Sequence, residues 1–367
     1  MAKRGHGGSA NRTVGSTPSG TAPAPAPLPA ESVPSQQIIG QLAQVDLSKG
    51  ELTSEQAQAM AQNLKKLAQQ GAVAVPAIRE FLDRNQDMIF DDVKGGKEVG
   101  YSSLRAGLLD ALKQIGGPEA LGLMASTLQT TADPREIAML ARNLEEAAPG
   151  QFSQETLNAV RETLAQAAKG DLGKRDVGPL FQVLQSLGDA TVAADLQKNA
   201  GQWNYYATMT LATLPEGSGV PALIDMIKDP TAAGSGKNNF ALQMLAQISP
   251  QYPDAAAALL EQAKLNQIPD RAWRQIATGL AGDQYQFSKD LTDGSVPARS
   301  LSDLKFYHIE YGNQNFYSTP VTMNWQEEEI NQRRALIDKL LAVATNPAAA
   351  QALQTARDSL VNPPPQK

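Results

Sequence analysis

The chain has 367 residues, of which 42% are hydrophobic, and it carries a formal net charge of −6 with no cysteine. This length allows a sizeable core, and the missing cysteines exclude disulfides, zinc–thiolate sites and a cysteine nucleophile. The charge is uneven, because residues 1–36 carry +2 and residues 37–367 carry −8. An acidic body repels phosphate backbones, so the sequence predicts no nucleic-acid partner.

The sequence also limits the relation of the chain to membranes. It contains no run of 18 apolar residues, so we expect no transmembrane segment in this chain. Lys3 and Arg4 are followed by glycine, serine and asparagine rather than by an apolar stretch, which is not the pattern of a signal peptide. Cytosolic proteins of this size usually contain some cysteine, so its absence favours the cell envelope or periplasm over the cytoplasm.

Residues 1–35 form a low-complexity segment that ends in alternating alanine and proline. Such a run favours an extended, polyproline-like conformation and has nothing apolar to pack. We therefore expect a disordered N-terminal tail, and a second short one at 362–367, which contains three consecutive prolines. Alternatively, the N-terminal tail is a spacer that holds the folded part away from an anchor.

Residues 36–282 show the helical period of 3.6, with recurrent prolines at the predicted helix starts. Residues 83–94 interrupt this pattern and open with the D-x-N-x-D sequence of a calcium loop. Met88 stands where such a loop needs glycine, and Lys94 stands where it needs a bidentate glutamate. We therefore interpret this stretch as a solvated acidic loop between helices.

A short stretch near the middle of the chain shows the repeating unit most clearly. Its apolar residues are spaced i, i+3, i+4 and i+7 and form one stripe of a helix: Val220, Leu223, Ile224 and Ile227. Pro221 suits the first turn of this helix, with Ser218 as the predicted N-cap, and Pro230 would end it. Two turns of helix cannot bury such a stripe alone, so the pattern predicts packing against neighbouring helices.

The unit recurs at a regular interval. Pro118 follows Pro76 by 42 residues, and Pro221 follows Pro179 by 42. A period of roughly 40 to 47 residues with two helices in each unit is typical of HEAT and armadillo repeats.

Residues 104–121 and 220–230 resemble units of the HEAT-repeat family, and Arg105 matches a frequent arginine early in a helix of that family. The resemblance covers roughly residues 53 to 282, where four units match well, and residues 231–236 depart from it as an insertion. It implies an all-α fold, a right-handed α-solenoid of stacked antiparallel helix pairs over residues 36–282. HEAT motifs are degenerate, and they imply no activity beyond the binding of macromolecules.

The segment 283–325 differs from the rest, because it holds eight of the 19 aromatic residues. We expect an aromatic-rich loop region that packs on the end of the solenoid. The alternative is a recognition loop that contacts a peptide or glycan through aromatic and amide side chains. The candidate partner-binding residues are Tyr307, His308, Tyr311, Phe316, Tyr317 and Trp325.

Residues 326–361 are predicted to form a C-terminal helical cap. Residues 324–327 resemble a capping box at its start, with Glu327 in the fourth position. Glu329 and Arg333 form an i, i+4 pair that we expect on the outer face of the cap.

Residues suited to catalysis are sparse in this chain. His6 lies in the predicted tail and His308 in the aromatic segment, so no histidine pair can bind a metal or serve a catalytic triad. We predict no catalytic, cofactor-binding or metal-binding residues, and a non-enzymatic scaffold or adaptor that binds a protein or peptide on the solenoid surface. The alternatives are an envelope glycan-binding protein that uses residues 305–325, or a lyase of the HEAT-like kind.

Overall fold

The computed structural model describes residues 33–173, 175–188, 190–229, 237–287, 307–311, 314–319 and 325–361. Residues 1–32 of the predicted N-terminal tail, the predicted C-terminal tail, the insertion at 231–236 and much of 283–325 therefore lie outside the described residues. Residues 33–35, which the sequence assigned to the N-terminal tail, are the start of the first helix. The described part is predominantly helical, which confirms the predicted helical class.

The first eight helices occupy the N-terminal half: α1 (Val33–Ala43), α2 (Ser54–Gln69), α3 (Val75–Asp83), α4 (Leu104–Ile115), α5 (Gly117–Thr130), α6 (Pro134–Ala147), α7 (Ser153–Lys169) and α8 (Gly178–Leu187). Eight more follow: α9 (Ala190–Asn199), α10 (Asn204–Thr213), α11 (Val220–Lys228), α12 (Lys237–Ile248), α13 (Pro253–Lys264), α14 (Ala272–Ala281), α15 (Glu327–Val343) and α16 (Pro347–Val361). None of these helices is long and apolar enough to cross a membrane.

Local sequence explains most helix starts. Proline occupies the first turn of α3, α5, α8 and α11, at the four positions that define the 42-residue spacing. Side-chain oxygens cap other helices, as when Ser103 accepts a hydrogen bond from the Ala106 N–H and Asp133 accepts one from the Glu136 N–H. The predicted N-cap Ser218 is wrong, since Gly219 takes this position and makes no side-chain cap.

The helices form two rows, an even row of the even-numbered helices and an odd row of the odd-numbered helices. Each even-numbered helix contacts the next even-numbered helix from α2 to α16, and the odd-numbered helices do the same from α1 to α7 and from α9 to α15. Most helices also contact their neighbour in sequence, which belongs to the other row. One continuous hydrophobic core runs between the rows, from Ile39 in α1 to Leu360 in α16.

Three short strands lie in the segment predicted to be a loop. They are β1 (Gln284–Gln286), β2 (Tyr307–Tyr311) and β3 (Gln314–Thr319), in the antiparallel order β1-β3-β2. Tyr285 of β1 packs against Phe240 of α12, and Phe287 just after it packs against Tyr206 of α10. These contacts place β1 on helices inside the array rather than at its end, because α13 to α16 extend the array beyond them.

Arg333 joins the C-terminal helices to the rest of the array. Its guanidinium donates hydrogen bonds to the carbonyl oxygens of Gln247, Gly279 and Leu280, at 2.8, 3.0 and 3.5 Å. These carbonyls belong to the last turns of α12 and α14, where the carbonyl oxygens of a helix lack N–H donors within the helix. The predicted pair with Glu329 is present at 2.7 Å, but its expected position on the outer face is wrong, because the Arg333 side chain is 3% exposed.

The predicted capping box at the start of α15 is not formed in the described part of this turn. Gln326 is the N-cap residue of α15 and its side chain makes no capping hydrogen bond. Three glutamates in the first turn, at 327, 328 and 329, instead complement the positive end of the helix dipole.

Candidate functional site

A half-open groove of about 430 Å³ lies between α6 and α8. The α6 side presents four residues at the spacing i, i+3, i+4 and i+7, which form one face of a helix: Ala138, Ala141, Arg142 and Glu145. The α8 side presents Gln182, Val183, Gln185, Ser186 and Leu187. Since only even-row helices line the groove, it lies on the side of that row that faces away from the odd row.

Small side chains create the groove. Ala138, Ala141 and Val183 are buried and form an apolar floor, while the opposite faces of α6 and α8 carry the bulky residues of the core. Leu140 and Leu144 of α6 and Leu180 of α8 are fully or almost fully buried there. The helices are therefore held together from the core side, and the alanines leave space between them on the outer side.

The charges at the rim of the groove are largely balanced. Both carboxylate oxygens of Glu145 accept a hydrogen bond from the Gly150 N–H at 3.1 Å, just beyond the end of α6. Glu146 forms an ion pair with Lys113 of α4 at 2.6 Å, and Arg142 supplies a further positive charge. The groove therefore combines an apolar floor with amide, hydroxyl and compensated charged groups at its edge.

A smaller cavity of about 60 Å³ lies between the N-terminal ends of α4 and α6. It borders a buried ion pair in which Arg105 donates to the two carboxylate oxygens of Glu136 at 2.5 and 3.0 Å. Arg105 also donates to the Leu82 carbonyl at 2.9 Å, and Thr131 donates to Glu136 at 2.7 Å. Every polar group named here has a partner, so this cluster joins three helices rather than offering a reactive group.

The electrostatics of this cluster follow from its pairing. Burial alone would lower the pKa of the Arg105 guanidinium, but the hydrogen bond and charge of Glu136 outweigh burial and raise this pKa above its ordinary value. Partial removal from water raises the pKa of the nearby Asp87 carboxyl, although the residue as a whole is exposed and hydrogen bonds from the Arg105 N–H and Ser103 oppose this effect.

The segment that resembles a calcium loop is explained by the same cluster. Asp87 Oδ1 accepts hydrogen bonds from the backbone N–H groups of Met88 and Arg105, at 2.8 and 3.0 Å. Asp91 pairs with Arg135 of α6. These carboxylates tie the segment to the starts of α4 and α6. Among the described residues, no group of three or more histidine, cysteine or carboxylate side chains could hold a metal ion.

The residues predicted to bind a partner fall into two groups. Tyr307, His308 and Tyr311 lie in β2, and Phe316 and Tyr317 lie in β3; the backbone register places His308 opposite Tyr317, Tyr307 opposite Ser318 and Tyr311 opposite Gln314. The side chains of these five residues lie outside the described part of the structure.

The sixth predicted residue, Trp325, has a described environment. The guanidinium carbon of Arg333 lies 3.8 Å from the centre of the Trp325 ring, within the range of a cation–π interaction. Because Arg333 is the residue that joins α12, α14 and α15, this contact gives Trp325 a role in packing.

The sequence did not predict the groove between α6 and α8. By helical spacing Ala141 shares a face with Ile137, Leu140 and Leu144, and the structure shows that it also borders an open space. The sequence does contain a signal for the groove. Small side chains recur on α6 at Ala138 and Ala141, and amide side chains recur on α8 at Gln182 and Gln185. No protein-family model matches this chain, and no curated protein sequence matches it either.

Proposed function

We propose that this protein is a non-enzymatic scaffold or adaptor that binds a protein or peptide partner in the groove between α6 and α8. The observation that carries the proposal is the groove itself, with a volume of about 430 Å³, an apolar floor and a polar rim. Grooves with a few polar groups around an apolar base are the usual form of binding sites.

We further propose that the two helix rows form a right-handed α-solenoid of the HEAT kind. The support is the contact pattern, in which helices pack on their neighbours in sequence and on the next helix of their own row. Stacked helix pairs of this kind bury one continuous core and present extended surfaces, which such proteins use to bind other proteins.

The polar groups with shifted pKa values support a non-catalytic role. Tyr101 donates a hydrogen bond to Asp110, Arg105 pairs with Glu136, and Arg333 binds backbone carbonyls and Glu329. The Tyr101 contact ties the segment before α4 to the middle of that helix, and the two arginine contacts join different helices, so these groups serve packing.

The proposal is tested with immobilised full-length protein and a variant that fills the groove. Ser186 is exposed at the rim, so Ser186→Trp should block the groove without disturbing the core. Ala165→Trp on α7 is the matched control, because Ala165 is an exposed residue of the odd row. We expect at least one protein retained from a lysate of the source cells to be lost with Ser186→Trp and kept with Ala165→Trp.

A second set of substitutions separates this proposal from glycan binding by the aromatic segment. The variant with Tyr307, Tyr311 and Tyr317 changed to alanine should retain the same partner, and polysaccharide retention should be no different from that of the unaltered protein. If this variant loses the partner while Ser186→Trp still binds it, the binding site lies at β2 and β3 and not in the groove.

A further inference from the structure

We infer that the groove between α6 and α8 binds its partner as an extended chain, with Gln182 and Gln185 forming hydrogen bonds to the partner backbone. The inference rests on the proposed function and specifies the chemistry of the partner. The partner segment is uncharged, adopts a β conformation and directs alternate apolar side chains into the groove.

The molecule already holds one extended segment on the same row of helices. The side-chain amide of Gln247 in α12 donates to the Tyr285 carbonyl and accepts from the Tyr285 N–H, both at 2.9 Å. Gln247 thus makes, on one edge of β1, the pair of bonds that a neighbouring strand would make, while β3 pairs with the other edge. An amide on an even-row helix can therefore bond one edge of an extended backbone.

The side chains of this segment show how an extended chain crosses the row. The Tyr285 ring lies 5.3 Å from that of Phe240 in α12, and the Phe287 ring lies 5.6 Å from that of Tyr206 in α10. Residues two apart thus reach two successive helices of the row. Tyr206 in turn lies 5.5 Å from Phe181 of α8, so the segment leads from α12 towards α8.

The groove offers a comparable setting between α8 and α6, the next pair of helices along the even row. It lies between even-row helices only, and Gln182 and Gln185 of α8 stand at its edge as Gln247 stands beside β1. The aromatic residues that pack on β1 are replaced here by Ala138, Ala141 and Val183, which leave space for side chains of the partner.

The charge balance at the rim specifies the rest of the partner. Glu146 is paired with Lys113, Glu145 accepts from the Gly150 N–H, and Arg142 adds a positive charge on the same face of α6 as Glu145. With the charges compensated, a charged partner gains little from this site, whereas an uncharged apolar segment gains from the floor. Binding should therefore depend little on salt concentration.

The probe is a phage-displayed library of random linear peptides, selected on the full-length protein without counter-selection, so that binding of the enriched peptides to Ser186→Trp can be measured afterwards. The enriched peptides are then synthesised and their affinities measured by fluorescence anisotropy. We expect sequences with apolar residues at every second position, and binding that is abolished by N-methylation of alternate backbone amides. The double variant Gln182→Ala, Gln185→Ala should weaken binding roughly tenfold, as expected for the loss of two ordinary hydrogen bonds.

Gln166→Ala on α7 is the control for loss of a glutamine from the other row, and it should bind the peptides unchanged. Thermal unfolding of every variant shows whether a loss of binding reflects a loss of folding. Enriched peptides that bind as helices, or that tolerate both backbone N-methylation and the double glutamine variant, would overturn this inference and leave the proposed groove intact. Peptides that bind Ser186→Trp as well as the unaltered protein would instead overturn the groove as the binding site.

Discussion

Two buried arginines hold this array together, and they do so by different means. Arg105, at the start of α4, is 8% exposed and pairs with Glu136, which is 9% exposed. Arg333, in α15, is 3% exposed, but its carboxylate partner Glu329 is 29% exposed and most of its hydrogen bonds go to backbone carbonyls. One arginine is thus neutralised by a full opposite charge, and the other is held mainly by the ends of two helices.

The pKa values of the two guanidiniums differ accordingly. Burial is the first effect in both cases and favours loss of the proton. At Arg105 the hydrogen bond and charge of Glu136 exceed the effect of burial, so the pKa of this guanidinium is raised. At Arg333 the contribution of Glu329 is smaller than the effect of burial, so the pKa lies below its ordinary value. The comparison shows that carbonyl groups can fix a buried cation in place without compensating its charge fully.

The largest effect is expected for Arg333→Ala. It removes the Arg333 hydrogen bonds from the terminal carbonyls of α12 and α14, although Gln284 still donates to Gly279, and it removes the contact with Trp325. We expect a loss of about 3–5 kcal/mol in the free energy of unfolding, measured by urea denaturation. Gln332→Ala, at the exposed neighbouring position, is the control and should change little. A loss of less than about 1 kcal/mol at Arg333 would mean that the carbonyl contacts do not hold α15 to the array.

The ion pair of Arg105 should respond differently to single and double substitution. Arg105→Met leaves a buried, uncompensated carboxylate and should cost about 3 kcal/mol or more. The double variant Arg105→Met, Glu136→Leu removes both charges, so its loss should be smaller than that of the single variant. Urea denaturation of the four proteins of this cycle gives the coupling energy, and simple additivity of the two single losses would contradict the charge-pair interpretation.

A third buried polar residue completes the comparison, because it has no partner. Asn143 lies two turns after Glu136 on α6, is 1% exposed, and neither atom of its amide forms a hydrogen bond. Asn143→Leu removes an unsatisfied amide and should raise the free energy of unfolding by about 1–2 kcal/mol. Thermal denaturation beside Asn158→Leu, an exposed position of α7, measures the gain, and a destabilised variant would show that the amide is satisfied in solution.

The smallest effect is a pH dependence at Asp87, next to Arg105. Its pKa is raised in the folded protein, so the carboxyl contributes stability below about pH 3.8 and loses this contribution as the pH rises through the raised value. Asp87→Asn lacks this titration. The melting temperature of the unaltered protein should therefore fall relative to that of Asp87→Asn between about pH 4 and neutral pH, and parallel curves would contradict the shift.

Local sequence predicted the helices well where a proline or a cap fixed their start. Pro76, Pro118, Pro179 and Pro221 all lie in the first turns of helices, and the apolar stripe of residues 220–227 is largely buried. These features depend on backbone geometry and helical period, which neighbouring residues alone specify. The burial of Arg333 could not be predicted in this way, because its carbonyl acceptors lie 53 to 86 residues away in the chain.

The amino-acid sequence by itself determined the helical class, the positions of most helix starts and the division into units that must pack on one another. Tertiary structure alone decided which of those units leave a space between them, and that β1 lies across α10 and α12. The physical reason is that small residues such as Ala138 and Ala141 are equally compatible with a close helix contact and with an open groove. Only the separation of α6 and α8, fixed by the bulky residues on their core faces, selects the groove.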